Sequence, residues 1–458
     1  MNPVRWNRPA QLAMSRIDLL LLHPPSVYDF RKHAILYGPV SDLIPSSPVF
    51  EMYPLGFLTL TDYLEARGFS VCIVNLALRM IKMVLRYRDL QSVLPFNGWL
   101  QNPITAVFTV KGCRHECVTC GSSRQACATV SKRTGPLFRS PNNLVGNMTA
   151  ISQFSKGPIF LVGDLRQAGH DHALEVLSLL KKARLRNQIV FELFEMPPPG
   201  YLQQIDRAVA NWSLELSPES HEPAIRRLQD STTSFSNQAM EAIIQESLQL
   251  RCQPVDVFFM IGLPRQTRDS VKESVSYCGH LFANSDPRLS CFISPMGPFL
   301  DPGSQIFEHP DRFGYHLFAR SLEEHRQLLV QPSWKQILNY ETDWMTRDDL
   351  VEATYDTAEF LNLLKLRHGR IRPSRGQGVA RRIQRARALK HRLDAVPAGE
   401  SPDQVTYRAL LGDIHEFSVS TVCDKRELFW RRHLLNFKPG GILRAGLRRC
   451  PTIRTSNP

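Results

Sequence analysis

Between residues 104 and 294 the chain repeats one pattern six times: a short strand-like run rich in apolar residues, then a loop, then for most repeats an amphipathic stretch of helical length. The apolar runs fall at 104–110, 158–163, 188–194, 212–217, 255–261 and 289–294, and the clearest helical stretches at 172–186, 237–251 and 269–283. Buried strands joined by helical crossovers imply parallel neighbours, which need a connection of a dozen or more residues, and these helices supply it. The pattern therefore predicts a parallel sheet. Six units in about 190 residues fall short of a closed eight-unit barrel of about 250, so an open, six-unit (β/α) partial barrel is expected over 104–300.

What precedes the barrel is shorter than a domain of its own kind should be. An apolar run at 17–22 stops at Pro24-Pro25, residues 54–67 carry Leu55, Leu58, Leu60 and Leu64 at near-helical spacing, and 69–76 reads as a second buried strand. Strand, helix, strand opens a doubly wound sheet, but only 27 residues, 77–103, remain before the barrel, and these look helical. The region 16–103 is accordingly expected to be a small, truncated Rossmann-like unit. Beyond the barrel, 315–329 and 347–367 look helical and amphipathic, and the aromatic segment 334–344 reads chiefly as packing, so 301–370 is expected to be a helical extension on the barrel.

The 458 residues carry a formal net charge of +13, distributed unevenly. Residues 371–458 hold 18 Lys plus Arg against 7 Asp plus Glu, or +11, so the basicity belongs to a C-terminal tail and the body is nearly neutral. Such a tail is solvated or attracted to nucleic acid. No apolar run approaches the roughly 20 residues of a membrane span, and the early run ends without a cleavage-type site, so a cytoplasmic protein without a membrane span is expected.

Three of the ten cysteines, Cys113, Cys117 and Cys120, lie within eight residues immediately after the first barrel strand, flanked by Gly112 and Gly121. In a reducing compartment such a cluster points to metal binding or catalysis. Structural zinc calls for four ligands, usually as two separated pairs, and the second pair is missing here. Three thiolates instead leave one metal position open to a small molecule. A zinc site completed by Cys127 or His115 is the alternative, and with the basic stretch 372–392 it would make the chain a zinc-knuckle nucleic-acid-binding protein.

The Cys-x3-Cys-x2-Cys spacing after the first strand of a six-unit barrel resembles the signature of radical S-adenosylmethionine enzymes. More narrowly, the chain resembles their subgroup with an N-terminal cobalamin-binding domain, through Tyr53-Pro54-Leu55-Gly56, Ser217-Pro218-Glu219-Ser220 and Phe259-Met260-Ile261-Gly262-Leu263-Pro264. The resemblance implies that Cys113, Cys117 and Cys120 hold a 4Fe-4S cluster. It implies that Gly163 and Asp164 meet the methionine part of S-adenosylmethionine, Ser217 and Glu219 its ribose, and Gly262 its adenine. All lie at carboxyl ends of strands, where barrel active sites are built.

Glu192, an acid in an otherwise apolar strand, is a candidate catalytic residue for substrate or cofactor contact. The implied reaction is cleavage of S-adenosylmethionine to a 5′-deoxyadenosyl radical acting on an unknown substrate, with flavodoxin or ferredoxin as electron donor and methyl transfer if cobalamin is used. The short N-terminal unit and the missing Asp-x-His-x-x-Gly loop argue against bound cobalamin.

Overall fold

In a computed structural model of the chain, residues 18–23, 64–65, 67–75, 105–133, 135–229, 235–297, 299–329, 331, 333–395, 438 and 440 are described. The chain divides into two compact units.

In the smaller unit, β1 (Leu19–His23) and β2 (Val71–Asn75) pair in parallel, Leu19 opposite Val71 and His23 opposite Asn75. Asp18 Oδ2 accepts the Ser70 N–H at 3.0 Å, which ties the entry of one strand to the entry of the other. Parallel pairing is what a strand-helix-strand connection produces. Of the helix expected over 54–67, Leu64 and Glu65 are described and helical; 77–103 lies outside the described residues.

The larger unit is built on six parallel strands: β3 (Thr105–Phe108), β6 (Ile159–Val162), β7 (Ile189–Leu193), β8 (Trp212–Glu219), β9 (Cys252–Ile261) and β10 (Leu289–Pro295). Between the first two, β4 (Val110–Lys111) and β5 (Leu137–Phe138) form a small antiparallel ladder. The six lie side by side in sequence order, with β3 and β10 at the edges. A doubly wound sheet would reverse direction partway; unbroken order with open edges is that of an incomplete barrel.

Alternation along the strands sets the two faces of the sheet. Ile159 and Leu161, Phe191 and Leu193, Leu214 and Leu216, Val257 and Phe259 all belong to the main apolar core. Burial of each such side chain stabilises the fold by about 1.5–3 kcal/mol. The helices of the larger unit up to residue 283 include α1 (Arg124–Ser131), α2 (Pro141–Phe154), α3 (His170–Ala183), α4 (Tyr201–Ala208), α5 (Pro223–Gln229), α6 (Asn237–Gln249) and α7 (Arg268–Ala283), and all but α1 contribute residues to that core. Ser140, Ser236 and Thr267 cap α2, α6 and α7 by accepting backbone N–H groups, which explains where those helices begin.

The C-terminal part departs from expectation at one place. Residues 315–329 do not form one helix: Tyr315–Leu317 is a strand, β11, antiparallel to β12 (Tyr340–Thr342), and only Leu322–Leu329 (α9) is helical. Gly314, in the left-handed region at φ 70°, turns the chain into β11, and the Phe318 N–H bonds the Asn339 carbonyl at 2.7 Å. Pairing with a distant segment overrides the local helical spacing. The short helices α8 (Gln305–Glu308) and α10 (Trp334–Ile337) flank this hairpin, and Trp334 and Tyr340 are core residues.

Arg347–Arg367 (α11) starts at a capping box, Thr346 with Asp349, and packs on α7, β9 and β10, covering the edge strand. Pro373–Asp394 (α12) lies within the stretch expected as a basic tail, yet it buries Val379, Ile383, Ala386, Leu389 and Leu393 against α11. Lys390, almost fully buried, is held by Asp348, Glu352 and Asp394. Among the described residues no helix is long and apolar enough to cross a membrane.

Candidate active site

A cavity of about 420 Å³ opens at the carboxyl ends of the barrel strands, lined by Cys113, Cys117 and Cys120 together with Gly163, Glu192, Ser217 and Glu219. Residues 100 positions apart in sequence thus share one chamber. Phe108, Phe194, Phe235 and Met260 give it apolar walls, and His115, Gln167 and Arg226 complete its polar lining.

The cysteine loop is fixed from several sides. Gly112 holds φ 84° at its start, a conformation that strains any residue with a Cβ. The Arg124 N–H bonds the His115 carbonyl at 2.8 Å, Ser123 caps α1, and the Gly121 N–H bonds Asp301 Oδ2 at 3.0 Å. Backbone N–H groups point at the sulfurs themselves, His115 to Cys113 Sγ at 3.4 Å and Ser122 to Cys120 Sγ at 3.3 Å. Burial pushes the Cys120 thiol up to about 11, so without a metal it stays protonated at neutral pH.

The donor set is three thiols with no close fourth ligand atom grouped with them among the described residues. Tetrahedral zinc with bonds of about 2.3 Å brings its sulfurs to about 3.8 Å of one another. Among the described residues no three ligand atoms drawn from these cysteines, Cys127 and His115 lie within 4.8 Å of one another. The two expected fourth ligands are occupied elsewhere. His115 faces Glu195 at 3.7 Å and packs edge-on against Phe194, and Cys127 Sγ lies against Gly112 and the Ser122 carbonyl.

Gly163 takes φ 98° at the end of β6, and a Cβ there would stand 2.7 Å from Thr109 Oγ1. Its N–H is accepted by Glu192 Oε2 at 2.8 Å. Burial is the main reason that the Glu192 carboxyl rises to about 7, with Asp164 adding to the shift and the Gly163 bond opposing it. On β8, the pairing with β9 shifts register between Leu216 and Glu219, and Glu219 sits at φ 64°. Such a bulge at a strand end re-aims side chains, here Ser217 and Glu219 into the cavity.

Two further residues expected at the site, Asp164 and Gly262, lie outside the cavity lining. The Asp164 carboxylate is not in the cavity lining: it caps the turn Leu165–Ala168 through the Arg166 N–H at 2.9 Å, pairs with the Arg166 guanidinium and accepts the Phe194 N–H at 3.1 Å. Gly262, at φ 97°, lies under the C-terminal extension: its carbonyl accepts from Tyr315 Oη at 2.7 Å, and a Cβ would stand 3.0 Å from Tyr340 Oη. The close approach that its missing side chain allows is to tyrosine.

Three groups here carry no motif. Gln167, in the turn after Asp164, accepts from Cys113 Sγ at 3.2 Å and from the Arg114 N–H at 3.3 Å, while its buried Nε2 has no partner. Arg226 is buried, bonds the Ser220 carbonyl at 2.6 Å and Asn237 Oδ1 at 2.8 Å, and leaves Nε unpartnered. Glu215, beside Glu192 in the sheet, is a second acid of the kind singled out on β7.

No known protein family matches the chain, and no curated protein does. Among solved structures it is similar to a radical S-adenosylmethionine methyltransferase from Kitasatospora setae with tryptophan substrate and a SAM analog bound (TM-score 0.38, 13% identity, 48% of this chain and 42% of that chain). It is similar also to coproporphyrinogen III oxidase from Escherichia coli, described as a radical SAM enzyme (TM-score 0.33, 12% identity, 72% of this chain and 92% of that one). A third is the FeFe-hydrogenase maturase from Carboxydothermus hydrogenoformans (TM-score 0.33, 12% identity, 68% and 81%). The chain spans less than half the length of the methyltransferase. At such low identity and overlap the chemistry has to be argued from the site's own residues.

Proposed function

We propose that the chain is an enzyme that binds a 4Fe-4S cluster through Cys113, Cys117 and Cys120 and uses it with S-adenosylmethionine to start radical chemistry on a substrate in the barrel. The observation that supports this most is the shared cavity: three thiols in one lining with Gly163, Glu192, Ser217 and Glu219 at the carboxyl ends of parallel strands. When bound and reduced by one electron from a donor such as flavodoxin or ferredoxin, the cluster supplies cleavage of the sulfonium to methionine and a 5′-deoxyadenosyl radical.

The protein's own part is positioning and exclusion of water. Glu192 and Asp164 hold the Gly163 turn open toward the thiols, so that its backbone rather than a side chain borders the cofactor space. Ser217 and Glu219 offer polar atoms for sugar hydroxyls opposite that turn. Phe108, Phe194, Phe235 and Met260 keep the chamber apolar, which shields a carbon radical from quenching. Hydrogen-atom abstraction is the proposed first step. Methyl transfer would also need cobalamin, whose domain would fall largely outside the described residues.

Anaerobic reconstitution with iron and sulfide is the test. It should give about four iron and four sulfide per chain and convert S-adenosylmethionine to 5′-deoxyadenosine. Replacing all three cysteines by alanine should abolish both. One zinc per chain, or a wild type indistinguishable from the triple variant, would overturn the proposal.

A further inference from the structure

Below the cavity, the concave face of the sheet carries a row of acids that neither the cysteine motif nor the cofactor chemistry accounts for. Glu192, Glu215 and Asp256 are directly opposite one another on β7, β8 and β9, and Ser290 on β10 ends the row. Neighbouring strands lie about 4.8 Å apart, so the three carboxyls share one level of the barrel. Glu215 is 9% exposed and Asp256 fully buried, and Glu192 reaches the cavity above. Both oxygens of Asp256 lack a hydrogen-bond partner. Independently, Ser213 Oγ, two residues before Glu215 on the same face, is fully buried and also without a partner. Buried polar groups are nearly always satisfied, so this floor is short of hydrogen-bond partners.

We propose that the barrel floor binds an organic cation, an ammonium or guanidinium group carried by the substrate, between the Glu192–Glu215–Asp256 row and the stacked rings of Phe258 and Phe292. This deepens the reading of the cavity as an active site and rests on it. Phe258 and Phe292, one layer nearer the mouth, stack at 5.1 Å between centroids and 18° between planes. Lys365 from α11 already places its ammonium 4.6 Å from the Phe292 ring centre, so an alkylammonium fits this aromatic surface. A metal ion does not suit the row: its three carboxylates do not come within 4.8 Å of one another, whereas a cation with several N–H donors can span wider acceptors.

The charge balance agrees. The groups facing Asp256 are Glu215, Cys252 and the Lys365 ammonium; Glu215 faces Glu192; and Glu192 faces Asp164, itself paired with Arg166, and the Gly163 N–H. One ammonium against three carboxyls leaves the row either protonated or in want of cations. Burial, reinforced by the neighbouring acids, raises Glu192 to about 7, Glu215 to about 8 and Asp256 well above its ordinary range. The empty row is therefore largely protonated at neutral pH, and a cation that enters must release protons.

Calorimetric titration of the full-length holoprotein with n-butylammonium and with methylguanidinium, in two buffers of different ionisation heat, tests this. Binding should release protons at pH 7 and tighten about tenfold from pH 6 to pH 7, and 1-pentanol, the neutral isostere, should show neither effect. The near-isosteric double variant Glu215→Gln, Asp256→Asn should bind the cations at least tenfold more weakly at pH 8 and lose the proton release. Thermal unfolding checks that this variant is folded, and should show cation-dependent stabilisation in the wild type alone. Cations that bind no better than 1-pentanol, or equally well to the double variant, would overturn the inference. The chain with all three cysteines replaced by alanine separates the two ideas: retained cation binding in it, beside a wild type that makes no 5′-deoxyadenosine, faults the radical chemistry and leaves the floor site standing.

Discussion

The two halves of the barrel sheet carry the same kind of apolar row outward and opposite kinds of row inward. On β3 and β6 the inner residues are Ala106, Phe108, Phe160 and Val162; on β7 to β10 they include Glu192, Ser213, Glu215, Ser217, Asp256 and Ser290. The first half borders the cysteine loop, where apolar surroundings suit a cluster and a radical. The second half contains polar groups that do nothing for the core and cost stability, since desolvated acids are expensive to hold. The difference sets an apolar side beside the cysteine loop against an acidic side within one continuous element, the two sides that the proposals above give to cofactor and substrate.

The largest expected effect lies at the border of the two halves. Gly163→Ala places a methyl 2.7 Å from Thr109 Oγ1 in a left-handed backbone, and should lower stability by about 3–5 kcal/mol in urea unfolding and abolish 5′-deoxyadenosine formation. A silent Gly163→Ala would show that the border between the halves tolerates a side chain after all. Thr109→Ala in the same chain should recover only the steric part.

Next come the acids themselves. A carboxyl whose value is raised in the folded state binds its proton there while the unfolded chain has lost it, so stability falls as pH rises from about 4.5 toward the folded values, about 7 for Glu192 and about 8 for Glu215. Glu215→Gln should therefore stabilise the cation-free protein by roughly 2–4 kcal/mol at pH 8 and flatten that slope, with little change at pH 5. A slope unchanged by the substitution would erase the contrast between the halves.

A smaller effect separates the two duties of Glu192. Leucine there strands the buried Gly163 N–H and should cost about 1–3 kcal/mol at pH 6, whereas Glu192→Gln keeps an acceptor and should be nearly neutral at that pH by the same unfolding measurement. Smallest is Gln167→Met, which removes the partner of Cys113 Sγ and of the Arg114 N–H. About 1 kcal/mol of stability should go, and iron analysis after exposure to air should show faster loss than in the wild type.

The architecture was legible because its signals are local. Strands read at 188–194 and 255–261 stand at Ile189–Leu193 and Cys252–Ile261, and the helix read at 347–367 stands at Arg347–Arg367. The cysteine loop was legible because three ligands lie within eight residues. The acid row was not, since its members lie dozens of residues apart and only strand register brings them together. Yet the signal that singled out Glu192 recurs in Leu214-Glu215-Leu216 and Val255-Asp256-Val257, an acid between apolar neighbours in a strand. Asp164 shows the converse: its position in the motif is visible in the sequence, but its bonds to Arg166 and Phe194 are not.

The Tyr315 hydroxyl on the Gly262 carbonyl fastens the C-terminal extension to the last turn of β9, while α11 closes the flank of β10. The extension is thus a structural wall of the barrel, and Lys365 reaches the floor from it. A chain cut after residue 300 would keep Cys113, Cys117, Cys120 and all six strands of the parallel sheet, yet expose a bare strand edge ready to pair with its neighbours in solution. The cysteine motif and resistance to aggregation thus depend on different parts of the same polypeptide, and a fragment that keeps the motif alone would lack the second.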